Sequence, residues 1–510
     1  MTGVPGTDCC SPNLDFRGRA SLFSAAEERE FDVVVVGGGI TGAGVARSAA
    51  ARGLSVALIE ARDIASGTSS RSSKLIHGGV RYLAQGAISL VRETARERQV
   101  LRTVAPHLAR VAPILIPTRS ATEMAKYRVG VALFERLGKV PREERHEVWD
   151  ARQIAEHEPA AAVDGVTGAV RYYEFLTDDA RLTLANARSA AADGALVLTY
   201  APVTEILKED GRAFGVRCES ALPGEALHAG SRVALTKGIH LVVPHSRLPI
   251  MHTVVFEASD RRPVVAVPRG DVTYLGTTDT FHADAEYWPA IEQEEVDYLL
   301  AATARTFNTD PLSVDDVVSS WTGIRPLVAQ PGKKPAEISR RDEVWTGPAG
   351  VLSIAGGKLT AYRPMAERVV DMVGKTLGQS TRPGDTDRRV LVGGDCEPAE
   401  LAVERNEGSA SWRRLVDLYG AEARAVDDDG GDVAAEVRHA VRNEGALRLE
   451  DYWVRRSARA LYDLDAGLST LDTASGEMAK LLGWTEGRRL DEVSECRARH
   501  ARDNALFNGT

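Results

Sequence analysis

The chain has few cysteines and no long apolar run. Its five cysteines are scattered and odd in number, a pattern that predicts neither a disulfide framework nor a metal site and fits a reducing cytoplasm. They are Cys9, Cys10, Cys218, Cys396 and Cys496. No stretch of about 18 apolar residues occurs, so we expect no membrane-spanning helix. Residues 1–29 hold no apolar signal-peptide core, and we expect a flexible leader there.

An excess of basic charge is missing as well. The formal net charge is −9, which argues against nucleic acid as a main partner. Hydrophobic residues make up 44% of the chain, as in ordinary globular proteins, so a substantial core is expected. A length of 510 residues predicts two or three domains.

The clearest pattern that is present runs from residue 31 to residue 60. Four valines lead into a glycine cluster, a small-residue helical segment follows, and a second apolar run ends in Glu60. Gly37, Gly39 and Gly42 have the G-x-G-x-x-G spacing of a dinucleotide-binding turn in its strand–turn–helix context. The helix N-terminus then faces the phosphates. Because a carboxylate at Glu60 accepts ribose hydroxyls and disfavours a 2′-phosphate, we expect FAD or NAD rather than NADP.

Strands and helices interleave up to about residue 380, which predicts the α/β class with α+β insertions. Residues 122–139 have the pattern of a helix, and residues 344–356 that of a hairpin followed by another helix. Near residues 380–390 the composition shifts to Ser, Thr, Pro, Gly and Asp, as in a linker. From residue 397 onward the pattern is mostly helical and charged.

Four separated motifs give the chain a family resemblance. They are GGGITGAG at 37–44, GTSSRSSKLIHGGVRYL at 67–83, KGIHLVVP at 237–244 with GTTDT at 276–280, and WTGIRPL at 321–327 with ISRRDEV at 338–344 and AGGKLTAYR at 355–363. With these motifs the chain resembles the FAD-dependent, quinone-linked glycerol-3-phosphate dehydrogenases of the aerobic type. The spacing alone indicates only a dinucleotide enzyme, and the resemblance supplies FAD, the substrate and the acceptor.

The resemblance implies a Rossmann-like FAD-binding domain of the glutathione-reductase and amino-acid-oxidase type. We expect it to be discontinuous, over residues 30–80, 160–232 and 341–387. An inserted α+β substrate domain would cover residues 81–159 and 233–340, and a C-terminal helical domain residues 388–510. The helical domain is a candidate for homodimer contacts or regulation.

The resemblance also implies oxidation of sn-glycerol 3-phosphate to dihydroxyacetone phosphate, with electrons passed to a membrane quinone. The enzyme would be cytoplasmic and peripheral on the inner face of the membrane. Residues 122–139 mix basic and apolar side chains and are a candidate for interfacial binding. Their basic residues are Lys126, Arg128, Arg136 and Lys139, and their apolar ones Val129, Leu133, Phe134 and Leu137. The alternative is an ordinary amphipathic helix on the core.

A dianionic substrate calls for fixed cations. Arginine guanidinium groups bind phosphate in bidentate fashion, and Arg81, Arg325 and Arg340 lie inside the matched motifs. We expect all three to bind substrate, with Arg341 as the neighbouring alternative to Arg340. For any single arginine, a surface ion pair is the competing explanation.

Oxidation at C2 needs a group that takes the hydroxyl proton. His240 is the first choice, because histidine can be neutral at working pH. A structural histidine beneath the flavin is the alternative, and His77 is a second candidate base. Lys358 follows the second glycine turn, where it would neutralise charge on the reduced flavin or touch the substrate phosphate. The catalytic set expected is thus His240, Arg325 and Lys358.

Two further segments are expected to line the FAD pocket. In the first, serine hydroxyls and backbone would contact the cofactor, and in the second, glycines would let backbone N–H groups approach the isoalloxazine end. These residues are Ser72, Ser73, Lys74 and His77, then Gly356, Gly357 and Thr360.

The chain departs from the family pattern at one place. An N-A-x-G-P-W type motif, which forms a sheet strand and abuts FAD in the family, is not found between Val216 and Lys237. We therefore expect an open sheet edge and a less enclosed cofactor.

Other functions remain open on the same scaffold. An oxidase would return electrons to oxygen, and an amino-acid oxidase or dehydrogenase would clamp a carboxylate with one arginine. A flavoprotein that binds ligand without turnover is the third alternative, raised by the missing strand.

Overall fold

The computed structural model describes residues 13–79, 88–161, 164–220, 233–283, 286–328, 342–378, 381–405 and 408–507. The strands are β1 Val33–Val36, β2 Val56–Ile59, β3 Leu75–Ile76, β4 Arg110–Thr118, β5 Glu147–Asp150, β6 Gly168–Leu176, β7 Leu196–Leu198, β8 Val203–Glu209, β9 Arg212–Cys218, β10 Val233–Pro244, β11 Thr253–Glu257, β12 Pro263–Arg269, β13 Val272–Gly276, β14 Thr280–His282, β15 Ser319–Val328, β16 Asp342–Thr346 and β17 Leu352–Gly356. The helices are α1 Arg19–Glu27, α2 Ile40–Ala51, α3 Ile88–Val104, α4 Ala121–Gly138, α5 Ala151–His157, α6 Asp179–Ala192, α7 Gln293–Ala304, α8 Tyr362–Leu377, α9 Pro398–Glu404, α10 Ala410–Tyr419, α11 Ala423–Asp428, α12 Val433–Glu444, α13 Arg459–Tyr462, α14 Leu471–Leu482 and α15 Glu486–Asp503.

A small parallel sheet carries the glycine turn. Its strand order is β1-β2-β7, and β2 is buried along its whole length, as expected for a central strand. Helix α2 is rich in alanine and packs against α6 and α8. A side chain at Gly44 would meet the ring of Tyr362 in α8 at 2.9 Å, so the small residues of α2 permit this close approach.

Strand β1 forms an open edge of that sheet. Among the described strands it pairs only with β2, and Val34 and Val36 on its outer face are 37% and 59% exposed. In a doubly wound sheet the first strand is normally central and buried on both faces. Within the described strands, this pairing agrees with the expected open edge.

A second, larger sheet has ten strands. Its path runs β14-β10-β13-β12-β11-β4-β6-β3, with β15 paired to β10 and β5 paired to β6. Most pairs are antiparallel, whereas β11 and β4 are parallel. Helix α7 covers one face through Val296 and Leu299, which pack with Ile239 and Leu241.

The register between β10 and β15 places the candidate site. His240 lies opposite Trp321, Gly238 opposite Gly323, and Thr236 opposite Arg325. Because side chains alternate between the faces of a strand, these residues share one face of the sheet.

The C-terminal segment is helical, as predicted, and packs on the same sheet. Tyr452 and Trp453 share a core cluster with Val242, Tyr274 and Trp321. The C-terminal helices therefore support the strands that carry the candidate site.

The leader is better ordered than the sequence suggested. Leu14 and Phe16 are each 4% exposed, Leu14 forms a backbone bridge with Glu444, and residues 16–27 are helical. The prediction of a flexible leader over residues 1–29 is wrong for this part, because two apolar side chains anchor it on α12. Residues 1–12 lie outside the described part of the chain.

The hairpin (β16 and β17), the helix after it (α8) and the helix over 122–139 (α4) are confirmed. Strand β6 follows residue 160, where we expected the FAD-binding domain to resume, yet it pairs with β4 and β5 of the large sheet. Among the described helices, none is long and apolar enough to cross a bilayer.

Candidate active site

The glycine turn fits a dinucleotide pyrophosphate. Gly37 has a φ of +111°, and the space that a side chain would take there is open. A Cβ at Gly42 would collide with the carbonyl oxygen of Gly37, so α2 can lie this close to β1 only without one. Gly39 is the N-cap of α2 and offers no side-chain cap. Apart from the N–H of Ile40, which Ser69 accepts, the first-turn N–H groups are available to an anion.

Glu60 ends the second strand beside this turn, as predicted. Its carboxylate accepts the N–H groups of Gly38 at 2.6 Å and Arg62 at 2.8 Å. Burial raises the pKa of the Glu60 carboxyl, and the two N–H groups oppose that rise. Its contact with a ribose remains a prediction.

Residues 67–77 connect the glycine turn to the large sheet. At one end, Ser69 Oγ accepts the N–H of Ile40 at the start of α2, at 2.9 Å. At the other end, Ser73 Oγ lies 2.9 Å from Nε2 of His240. In between, the Ser72 carbonyl accepts the indole N–H of Trp321 at 3.3 Å. Ser69 and Ser73, which are four positions apart in the chain, therefore connect the predicted pyrophosphate site to the predicted base.

Lys74 holds this segment in place through a buried ion pair. Its ammonium group forms an ion pair with Asp179 at the start of α6 and donates to the Ser70 carbonyl at 2.6 Å. Both charged side chains are buried, and the Ser72 N–H donates to the same Asp179 at 2.9 Å. Since the ammonium group is engaged in this way, any contact of Lys74 with FAD is expected through its backbone.

His240 is buried at the centre of the site. Its ring stacks on Trp321, with ring centroids 4.6 Å apart and planes within 12°. The pKa of His240 lies well below its usual range, first because of burial and then because of the charges of Arg325 and Lys74. A histidine kept neutral in this way can accept a proton at neutral pH.

Arg325 is held on the same sheet face. Its Nη2 donates to Thr277 Oγ1 at 2.9 Å and its Nη1 lies 3.2 Å from Asp279 Oδ1. The side chain of Arg325 keeps about a fifth of its surface exposed. It is therefore a fixed cation that still meets solvent, as binding of a phosphate requires.

Glycines make room for these two side chains. A Cβ at Gly276 would meet the ring of His240, with Nε2 at 2.6 Å, and a Cβ at Gly238 would occupy the position of the Arg325 guanidinium. A Cβ at Gly323 would meet the Arg71 carbonyl oxygen at 2.7 Å. The base and the cation lie flat on a strip of sheet without side chains.

The second glycine turn has a backbone conformation that favours glycine. Gly356 and Gly357 have φ angles of +76° and +85°. Thr360 Oγ1 donates to the His77 carbonyl at 3.2 Å, which joins this turn to the 67–77 segment. Lys358 lies close enough to Glu174 to oppose the rise in the pKa of that carboxyl that burial causes. The roles of Gly356, Gly357, Lys358 and Thr360 toward FAD or substrate remain predictions.

Two of the expected substrate ligands cannot be placed. Arg81 and Arg340 lie outside the described residues, as does Arg341. A cluster in the C-terminal helical segment brings Glu422, His439 and Glu444 together. Arginines bind both carboxylates there, Arg188 to Glu422 and Arg181 to Glu444, each at 2.6 Å. The guanidinium groups therefore pair with the carboxylates that a metal ion would otherwise bind.

Sequence reasoning missed the residues that hold the site in place. The motif GTTDT was noted, but the partnership of Thr277 and Asp279 with Arg325 was not. Ser69, Asp179 and Trp321 were missed as well. Ser69, Thr277, Asp279 and Trp321 lie inside matched motifs, whereas Asp179 lies outside them at the start of α6. Their partners are distant along the chain, so no local pattern indicated these contacts.

Comparison with known proteins identifies the chain. Residues 32–363 match the FAD dependent oxidoreductases, and residues 385–489 match the C-terminal domain of alpha-glycerophosphate oxidase. The fold and the glycine turn thus define an FAD-dependent oxidoreductase, as expected. The aerobic glycerol-3-phosphate dehydrogenase of Staphylococcus saprophyticus is 35% identical, and the alignment covers 92% of this chain and 94% of that protein. The Bacillus subtilis protein of the same name is 33% identical at the same coverage. This chain belongs to the family of the aerobic glycerol-3-phosphate dehydrogenases.

Solved structures agree with this assignment. The glycerol-3-phosphate dehydrogenase of Bacillus halodurans, complexed with FAD, has a TM-score of 0.79 and 30% identity, covering 97% of this chain and 100% of that one. The L-alpha-glycerophosphate oxidase of Mycoplasma pneumoniae, with a TM-score of 0.53 and 16% identity, shares the fold over 71% of this chain. The predictions of the family, the α/β fold class and FAD as cofactor are confirmed.

The relatives carry residues that this chain lacks. The alignment with the Staphylococcus saprophyticus enzyme spans 521 positions, which exceeds the 510 residues of this chain, although it covers only 92% of them. The surplus positions have no counterpart in this chain.

Proposed function

We propose that this chain oxidises sn-glycerol 3-phosphate to dihydroxyacetone phosphate and passes the electrons to a membrane quinone. One observation carries the proposal: His240 and Arg325 converge on the same face of β10 and β15. The guanidinium lies over Gly238, two residues from His240 and thus about 7 Å along the strand. This spacing suits a small substrate that has a hydroxyl at one end and a phosphate at the other.

Substrate binding and proton transfer are assigned to different residues. Arg325, fixed by Thr277 and Asp279, binds the phosphate, and Arg81 and Arg340 are the further cations expected there. His240, neutral in the free protein, accepts the proton of the C2 hydroxyl. When bound, FAD supplies the acceptor for the hydride from C2.

Other residues would hold the cofactor. Gly37, Gly39 and Gly42 let the pyrophosphate approach α2, and Glu60 accepts the ribose hydroxyls. Residues of the 67–77 segment and of the second glycine turn would surround the flavin end, and Lys358 would offset negative charge there. These residues are Ser72, Ser73, Lys74, His77, Gly356, Gly357 and Thr360.

The names of the relatives support the substrate, and the acceptor needs its own test. Purified protein with FAD should form dihydroxyacetone phosphate from glycerol 3-phosphate and a soluble quinone analogue under argon. In air without quinone, we expect little hydrogen peroxide for each substrate consumed. A peroxide yield close to one per substrate would instead identify an oxidase. Turnover of amino acids in place of glycerol 3-phosphate would contradict the proposed substrate.

Contact with a membrane would bring the enzyme to its quinone. On α4, Val129 is 68% exposed and Leu133 39% exposed, beside the basic residues Lys126 and Arg128. Phe134 was expected on this surface but is buried in the core, because it packs against the sheet with Val131. Leu137, also expected there, is partly buried against the same cluster. Val129, Leu133 and the basic residues are the outward ones that support interfacial binding.

Liposome flotation tests that contact. Vesicles with anionic lipid should carry the protein upward, and charge reversal at Lys126, Arg128, Arg136 and Lys139 should abolish flotation. If the reversed variant floats as well as the parent, α4 is an ordinary surface helix. Charge reversal at Arg388, which is 78% exposed and distant in sequence, serves as the control.

A further inference from the structure

A hydrogen bond joins the predicted base to the 67–77 segment. Ser73 Oγ and His240 Nε2 lie 2.9 Å apart. The other ring nitrogen, Nδ1, is buried and has no hydrogen-bond partner among the described residues. Trp321 stacks on the ring face and Tyr274 meets it edge-on, so the ring is held in one orientation.

This arrangement favours one tautomer of the neutral ring. A neutral imidazole has one N–H and one lone pair, and either nitrogen can carry the proton. A buried N–H without an acceptor is rarer in proteins than an acceptor without a donor. With the proton on Nε2, the N–H is satisfied by Ser73 and only a lone pair on Nδ1 remains unpaired.

We propose that Ser73 is a positioning residue that holds His240 in the Nε2-protonated tautomer, so that Nδ1 takes the proton of the substrate hydroxyl. The inference rests on the proposed function and deepens it. As the O–H bond of the substrate breaks, an Nδ1–H bond forms, and the C2 hydride leaves to the bound FAD. C2 becomes a carbonyl carbon and His240 becomes an imidazolium whose Nε2–H remains on Ser73.

The charge that forms on His240 gives Ser73 a second effect. A hydrogen bond from a charged donor is stronger than one from a neutral donor, so Ser73 stabilises the imidazolium more than the neutral ring. The charged groups facing the ring are Arg325 from β15 and Lys74 from the 67–77 segment, and both oppose protonation. Removing Ser73 should therefore lower the pKa of His240 further.

Rapid-mixing experiments on the FAD-bound enzyme test this. Under anaerobic conditions, Ser73→Ala should lower the limiting rate of flavin reduction by glycerol 3-phosphate about tenfold or more, with substrate affinity and FAD content unchanged. The acid limb of the pH–rate profile should move to lower pH. Ser73→Thr, which keeps a hydroxyl, should recover most of the rate, and Ser24→Ala on the exposed face of α1 should match the parent.

Each other outcome contradicts the inference. A parent that is reduced by glycerol 3-phosphate, with a Ser73→Ala variant of equal rate and equal pH profile, shows that Ser73 does not position the base. An acid limb that moves to higher pH shows that Ser73 donates to Nε2, which is the opposite tautomer. Loss of FAD or of substrate affinity alone shows a purely structural role.

A second measurement does not depend on turnover. In FAD-bound protein labelled with ¹⁵N-histidine, His240 is assigned among the 11 histidines by comparison with His240→Asn. Its ring nitrogens should show a proton on Nε2 in the parent and a mixture of tautomers in Ser73→Ala. A parent with the proton on Nδ1 overturns the inference even if the proposed substrate is right, and a parent unreactive toward glycerol 3-phosphate overturns the proposed function alone.

Discussion

The guanidinium of Arg325 lies against the backbone of Gly238, in the space where a side chain would stand. Thr277 and Asp279 fix the guanidinium in that place. The absence of a side chain at Gly238 is therefore a condition for the position of the cation that we assign to the substrate phosphate.

Gly238→Ala should displace Arg325 without unfolding the sheet. We expect KM for glycerol 3-phosphate to rise about tenfold or more, corresponding to ~1.4 kcal/mol, with FAD content unchanged. Gly215→Ala in β9 is the matched control, because its Cβ would meet Leu207 at an ordinary 3.6 Å. Equal KM values for both variants would argue against Arg325 as the phosphate ligand.

His240→Asn should slow the reaction while leaving the cofactor in place. Loss of a general base typically costs 10²–10⁴-fold in rate, and we expect flavin reduction to fall within about that range. In the parent, activity should be lost only as pH falls through the pKa of His240, which lies well below 6.5. The rate of flavin reduction should thus be flat between about pH 6.5 and 8. A rate that falls as pH drops from 8 to 6.5 would contradict a base of such low pKa.

The buried pair of Lys74 and Asp179 should be sensitive to removal of one partner. Lys74→Met leaves an unpaired buried carboxylate, and we expect a loss of about 3–5 kcal/mol in the free energy of unfolding. Lys480→Met removes an ammonium group that is 76% exposed from its pair with Glu477 and should cost less than about 1 kcal/mol. Chemical denaturation of the two variants checks this, and similar losses in both would mean that the Lys74 pair is solvated.

The exposed outer face of β1 has a measurable consequence. Val36→Ala should change the free energy of unfolding by less than about 1 kcal/mol, because that side chain is 59% exposed. Val56→Ala in the neighbouring strand, which is fully buried, should cost about 2–3 kcal/mol. Thermal unfolding of both variants compares them directly. If the two losses are equal, the outer face of β1 is covered in solution.

The sequence allowed prediction of the features that depend on local pattern. The glycine turn at Gly37, the hairpin of β16 and β17, and the helices α4 and α8 all have short-range signals in spacing and turn residues. The candidate base and cation, His240 and Arg325, were found through matched motifs, and the structure places them on one sheet face.

Features that depend on distant partners could not be predicted in this way. Lys74 and Asp179 are 105 residues apart in the chain, and nothing local shows that they pair. The ordering of the leader depends on a pocket beside α12 for Phe16. The stacking of Trp321 on His240 requires the register between β10 and β15, which only the folded sheet defines.

The most direct test of the account is an anaerobic titration of the FAD-bound protein with glycerol 3-phosphate, followed by flavin absorbance. We expect the oxidised flavin band to bleach completely with about one substrate for each flavin, and dihydroxyacetone phosphate to form in equal amount. Such a result would show that the open sheet edge does not prevent cofactor binding or hydride transfer. Protein that holds FAD and does not bleach, or colourless protein that added FAD cannot restore, would contradict the proposed function.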